Sequence, residues 1–302
     1  METKTLNYLK KLAARYNHKS IAIIDQTICC YNGHVITGDF EHYYMFKDQL
    51  WDEGVYDILG RRTNEVEDYP RPDTGNLTFI AYMPSITPLA EYVPYCSKDE
   101  FRPVMGCVFF DEKNIVASDA HVLRCEKHNI NVKEPFMLYA KFAKELAGLL
   151  KFFNKPVDVY ANSKYLVFEN EYFQAIQRKV EGVYPRYDII MPDPGDYGRK
   201  ITIPLRDILA GYKESKTAKV ETALRFDVDN KKAFLYSKED FSVLWEYDIA
   251  IEYDNPSEYT HLIMPLHLDS CDPSVNVKFL ALIKRDTLYI HDTSPTSRAF
   301  IS

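Results

Sequence analysis

One order of elements returns along this 302-residue chain: strand, helix, then several strands. LTFIAYMP (77–84) reads as a strand, 85–102 as a helix candidate, and 102–128 as consecutive strands. FMLYAKFAKELAGLLKFFNKP (136–156) is the clearest helix, and three short strands follow over 157–180. The order then returns with ITIP (201–204), a helix over 205–216, and strands over 221–253. LIMP (262–265) leads to a short helix at 266–270, and strands over 276–302 close the chain. The period is roughly 100 residues, so a repeated unit has to be recognised before any single motif is read. Units of this kind predict an α+β fold, with helices packed on one side of antiparallel sheet.

The N-terminal stretch fits the same unit. Leu6, Leu9, Leu12, Ala13 and Tyr16 make one helical face, while Lys4, Lys11 and Arg15 fall on another. Two or three strands follow, with Asn32-Gly33 as a hairpin turn. Residues 47–75 carry Gly54, Gly60, Pro70, Pro72 and Gly75 and read as an irregular connection, with a short helix near 50–59. The Pro- and Gly-rich stretch 182–198 is a natural boundary. The chain divides on this reading into a partial first domain (1–75), a middle domain (76–196) and a last domain (197–302).

Composition narrows the function. The net charge is −7, from 37 Lys and Arg against 44 Asp and Glu, so nucleic acid can be bound only by a local basic face. Such faces exist on the predicted helices: Lys4/Lys11/Arg15, Lys144/Lys151/Lys155 with Lys141 beside them, and Arg206/Lys213/Lys216. Taken alone, each stripe is what any solvated helix face carries. The six cysteines show no C-x-x-C spacing of a zinc site, and a chain of this size needs no disulfide scaffold, so reduced thiols in a cytoplasmic protein are expected. No apolar run is long enough to span a membrane.

Two motifs carry a family resemblance. FRPVMGCVFFDEKNIVASDAHVLRC (101–125) is similar to the strand pair of the bacterial sliding clamp, the beta subunit of DNA polymerase III, which ends in Thr-Asp-Gly-His-Arg-Leu. Here that motif reads Ser118-Asp119-Ala120-His121-Val122-Leu123. KVEGVYPRYDIIMP (179–192) resembles the family's Gly-x-Phe-Pro-x-Tyr segment, and the helix AKFAKELAGLLKF lies between the two, as in the family. The resemblance implies repeated clamp domains, with antiparallel sheets outside and helices on the inner face. It implies a homo-oligomeric ring, dimer or trimer, around duplex DNA. Polymerase and clamp loader would dock by short peptides. No cofactor, metal, membrane or catalysis is implied. The three helix stripes become the DNA-facing residues, and Asp119, His121, Leu123, Tyr187, Met191 and Pro192 become the partner-peptide pocket. The chain departs from the family in its short first domain, in Ala120 and Val122 where the family has Gly and Arg, and in ending at Ser302 before the family's Met-Pro-x-x-Leu tail.

Two other readings stand beside this one. A clamp fold that no longer closes a ring would be a protein-interaction module. A metal-dependent nucleic-acid hydrolase would use acidic pairs such as Asp52-Glu53, Glu67-Asp68 or Asp99-Glu100, whose ordinary role is solvated loop charge. Ser118, Asp119 and His121 are too close in sequence for a triad, and strand alternation would send Ser118 to the opposite face. No Gly-rich phosphate-binding motif is present.

Overall fold

In the computed structural model, the described residues are 3–15, 26–39, 41–48, 50–120, 122–189, 199–227, 230–248, 250–253, 261–265, 278–284, 287–292 and 297–301. They form two compact units. One comprises Met1–Glu91, Phe110–Lys113 and Asn129–Gly182; the other comprises Tyr92–Phe109, Asn114–His128 and Val183–Ser302.

The first unit holds α1 (Thr3–Ala13), the meander β1 (Thr27–Tyr31), β2 (His34–Gly38) and β3 (His42–Phe46), and β4 (Gly54–Asp57) and β5 (Arg62–Asn64). It also holds β6 (Thr78–Met83). Between β1 and β2, Asn32 and Gly33 have φ of 48° and 70°, the left-handed pair that a two-residue hairpin requires. Strand β4 pairs with β1, so the stretch expected as a short helix near 50–59 is partly strand. Gly54 and Val55 there face Cys30 and Cys29 across the ladder, and such long-range pairing overrides local pattern.

The helix α2 is a single turn (Leu89–Tyr92), much shorter than the 85–102 candidate. Pro88 precedes it and Pro94 ends it, since neither can donate an i to i−4 hydrogen bond. The strand β7 (Cys107–Phe110) follows, with β8 (Asn114–Ser118) and β9 (Val122–Lys127). Then comes β10 (Phe136–Tyr139), the first four residues of the expected 136–156 helix, before α3 (Ala140–Phe153). Gln177, fully buried, explains the switch. Its Nε2 donates to Met137 O at 3.0 Å and its Oε1 accepts from Tyr139 N at 2.8 Å, which holds this backbone extended. Asn154, at φ 50°, then ends α3 in a left-handed cap.

After α3 comes the meander β11 (Val157–Ala161), β12 (Tyr165–Glu169) and β13 (Phe173–Arg178). In space these strands complete one sheet, in the order β5-β4-β1-β2-β3-β13-β12-β11-β6. Its central join is β3 against β13, antiparallel, with Tyr44 opposite Ala175. Its strands β1, β2 and β3 are buried on both faces. Cys29, Ile36, Tyr43, Val55, Val66, Tyr69, Val167 and Ile176 form one core cluster. On the face that α3 covers, Phe142 of the helix stacks near Tyr44 (5.8 Å) and meets Phe168 at a tilt (5.5 Å).

The second unit repeats the device. It contains β14 (Arg199–Pro204), α4 (Leu205–Thr217), and the meander β15 (Thr222–Asp227), β16 (Lys232–Ser237) and β17 (Val243–Asp248). Then come β18 (Ala250–Tyr253), β19 (His261–Pro265) and a last meander, β20 (Lys278–Lys284), β21 (Thr287–Asp292) and β22 (Ser297–Ile301). Just as β4 flanks β1, β19 flanks β15. Just as β11 pairs with β6, β20 pairs with β14. And as β13 covers β3, β22 covers β9. All six of these pairings are antiparallel. Gly211 on α4 lets Tyr247 and Trp245 of β17 approach the helix backbone. The expected helix at 266–270 and Cys271 lie outside the described residues. Cys29, Cys30, Cys96, Cys107 and Cys125 are buried free thiols. Among the described residues no helix is long and apolar enough to cross a membrane.

Candidate nucleic-acid face and partner pocket

Helices α1 and α3 lie side by side and run in opposite directions. The Tyr8 ring meets Phe152 at 4.8 Å near one end, and Arg15 meets Glu145 towards the other. Gly148 allows the approach: a Cβ there would stand 2.6 Å from Tyr8 Oη. Leu9, Leu12 and Ala13 of α1 are buried, as are Phe142, Ala143, Leu146, Leu149 and Leu150 of α3. That leaves the polar residues outward. The α1 segment contains Lys4, Lys10 and Lys11 and no carboxylate. The α3 segment contains Lys141, Lys144 and Lys151 and one carboxylate, Glu145.

Glu145 decides the electrostatics of this face. Its side chain is 6 % exposed, and Arg15 Nη1 donates to its two oxygens at 2.6 and 2.5 Å. So the sole acid of the helix pair is buried and neutralised, and the outer face of the pair carries cations only. The same contact commits Arg15 to a protein carboxylate. Lys141 sits 3.5 Å from Asp39. Burial would raise the Asp39 pKa, but hydrogen bonding to His42 and the charges of His42 and Lys141 outweigh it and hold the group at about 2. Lys155 pairs with Glu171 at 3.0 Å and lies over the Tyr172 ring. Lys4, Lys11, Lys144 and Lys151 are exposed, with no ion-pair partner among the described residues. On α4, Lys213 and Lys216 are exposed but share the helix with Asp207 and Glu214, and the Arg206 side chain lies outside the described residues.

The motif at 118–123 begins on β8 and ends on the antiparallel β9, so it is not one continuous strand. Ser118 ends β8 opposite Leu123 on β9, so the expected alternation of Ser118, Asp119 and His121 across a strand does not apply. Ala120 stands at φ 78° and its N–H donates to Ser118 Oγ at 3.1 Å. A left-handed backbone costs a residue with a Cβ about 1–2 kcal/mol, while glycine loses about 0.5–1 kcal/mol of chain entropy. Ala120→Gly is therefore expected to raise the unfolding free energy by about 0.5–1 kcal/mol. Urea unfolding checks it; a drop in midpoint at unchanged slope would contradict the strain.

Leu123 is buried, and it pairs with Phe300 of β22 on its other side. Tyr187 opens a short 3-10 turn (Tyr187–Ile189). Its hydroxyl accepts from Asn114 Nδ2 at 2.9 Å, and its ring meets Phe109 edge-on at 6.5 Å. Tyr184 stacks flat on Phe109 at 4.7 Å. Asp119 is half-buried, and its charge, after burial itself, helps push the Cys96 thiol up to about 12. His121, Met191 and Pro192 lie outside the described residues.

Sequence reasoning missed Glu145, Asn114, Phe109 and Tyr184. One signal did exist: Glu145 falls between Phe142 and Leu146 on the apolar side of α3, and an acid there calls for a partner. Phe109, Asn114 and Tyr184 carry no local sign of a link to Tyr187. Two of the acidic pairs serve turns through one carboxylate each. Glu53 accepts from Asn32 N at 2.9 Å and Asp99 from Phe101 N at 3.0 Å. Among the described residues no group of three His, Cys, Asp or Glu is placed to hold a metal ion.

No protein-family model and no curated protein matches the sequence. Solved structures do match. The DNA polymerase III beta chain of Streptococcus pneumoniae TIGR4 superposes with a TM-score of 0.77 at 14 % identity, over 99 % of this chain and 97 % of that one. The beta subunit of Thermotoga maritima gives 0.76 at 15 % identity, over 98 % and 96 %. The beta subunit from the DNA polymerase of Streptococcus pyogenes gives 0.78 at 13 % identity, over 99 % and 97 %. With the repeated helix-and-meander units and their third-strand joins, these likenesses establish that the chain has the α+β fold of the bacterial DNA polymerase III beta subunit, the sliding clamp.

Proposed function

We propose that the chain is a clamp-like processivity factor that surrounds duplex DNA and tethers a replicative polymerase or other replication proteins. It acts in the cytoplasm as a homo-oligomer, without a cofactor and without catalysing a reaction. The observation that carries this reading is the α1–α3 face: a pair of helices with cations only on its exposed side, in a chain of net charge −7. Ammonium groups facing phosphates attract any sequence equally, which is what sliding requires. Lys4, Lys11, Lys144 and Lys151 contribute most. Arg15, Lys141 and Lys155 contribute less, because each already has a carboxylate partner. Arg206, Lys213 and Lys216 add a third, mixed-charge helix.

The chain is read as three consecutive modules, 1–75, 76–196 and 197–302. The β3–β13 and β9–β22 joins fall between successive modules, so sheets run across the module boundaries. The third strand of the β15–β17 meander, by contrast, ends its sheet among the described residues. A strand of a second copy added there continues the same pairing and links copies head to tail into a ring, as dimer or trimer. Partner peptides from polymerase or loader dock at Asp119, His121, Leu123, Tyr187, Met191 and Pro192. The stacked Phe109 and Tyr184 and the Asn114 bond that hold Tyr187 support that assignment.

Retention on nicked circular DNA tests the ring. The protein is loaded at high concentration or with a matched loader, and bound protein is scored before and after the circle is cut. Release only on cutting is the expected result. Equal behaviour on circle and linear DNA would overturn the ring and leave a protein-interaction module, the reading that the short first module favours.

A further inference from the structure

Glu145 stands where the packing of the helix pair asks for an apolar side chain. It lies among Phe142, Leu146 and Leu149 on the buried side of α3, and its side chain is 6 % exposed. Tyr8 of α1 shares this seam. Burial, and after it the charge of Glu145, pushes the Tyr8 hydroxyl up to about 12, while Arg15 acts in the opposite direction. Taking a carboxylate out of water costs free energy, and well-packed apolar residues in place of a buried ion pair are often as stable or more so. Stability alone therefore gives no reason for an acid here.

The partner of Glu145 gives one. Arg15 follows the last turn of α1, and its offsets of 11 from Lys4 and 4 from Lys11 place it along the same stripe. Its side chain is 54 % exposed, although Nη1 is held by both oxygens of Glu145. A guanidinium held in this way is fixed in place, but a carboxylate beside it matches its charge. A phosphate in front of it meets a neutral pair, whereas Lys4, Lys11, Lys144 and Lys151 present whole charges. We propose that Glu145 is a positioning residue that sets the strength of the grip on duplex DNA: it holds Arg15 on the cationic face and withholds that charge from the phosphates. The proposal rests on the reading of α1 and α3 as facing DNA, and it gives the buried acid the task of keeping the contact weak enough to slide.

The test is binding of the full chain to a short linear duplex of mixed sequence, followed by fluorescence anisotropy over a range of salt concentrations. Glu145→Gln keeps the size of the side chain and an acceptor for Arg15 but removes the negative charge. Arg15 then counts as one more phosphate contact. The slope of log affinity against log salt should steepen by about 0.9, and affinity near about 0.1 M salt should rise about five- to tenfold. Adding Arg15→Gln to Glu145→Gln should return the slope to that of the unaltered chain. Glu145→Leu, which matches Leu146 and Leu149, should give the same steepening and serves if the glutamine variant does not fold; the thermal midpoint reports folding. An acid with a merely structural role would move the midpoint and leave the slope alone. An unchanged slope in a folded variant, with binding by the unaltered chain still salt-dependent, would overturn the role of Glu145 and leave the DNA-facing reading standing. Binding by the unaltered chain that ignores salt would overturn both.

Discussion

Changing Lys4, Lys11, Lys144 and Lys151 together to glutamate is expected to reduce retention on nicked circles to the level seen on cut DNA. All four side chains are exposed and lie on two adjacent helices whose only acid, Glu145, is buried against Arg15. Reversal turns a face with cations only into one with carboxylates directed at phosphates. Each phosphate that is no longer neutralised should lower the slope of log affinity against log salt by about 0.9, so four of them lower it by about 3–4. Folding should survive, because glutamate and lysine have nearly equal helix propensity and the sites are solvated. Retention that persists with an unchanged salt slope would show that α1 and α3 do not face DNA.

Phe142→Ala should have the largest effect on stability. Phe142 is fully buried, and its ring lies 5.7 Å from His42, 5.8 Å from Tyr44 and 5.5 Å from Phe168. Truncation strips away apolar packing and leaves a cavity that a stacked aromatic layer cannot close, at a cost of about 3–5 kcal/mol. Urea unfolding followed by circular dichroism measures it. A loss under about 1.5 kcal/mol would mean that α3 is not seated by this residue. The consequence reaches function, since Lys144 and Lys151 ride on the same helix. Lys144→Ala, two residues away and exposed, should change stability by less than about 0.5 kcal/mol.

Much of the fold was legible because its signals are local. Leu9 and Leu12 at helical spacing, the Asn32-Gly33 turn and the Phe142/Leu146/Leu149 stripe each act over a few residues. Elements set by distant partners were misread. Residues 54–57 became a strand because β1 lies beside them, and 136–139 became a strand under the grip of Gln177, some forty positions away. The lysine faces were legible as helical stripes, but which of their cations are already committed was not. Arg15 and Glu145 are 130 residues apart, and no period in the sequence connects them.

By itself, then, the sequence determined the helices α1, α3 and α4, the meanders, their recurrence and the two motifs that resemble the sliding clamp, because side-chain period and turn chemistry act within a single element. Tertiary structure alone decided the joins of β3 to β13 and β9 to β22 and the burial of Glu145. Each of these pairs groups far apart along the chain, and their charges and hydrogen bonds are matched only after the chain has brought them together.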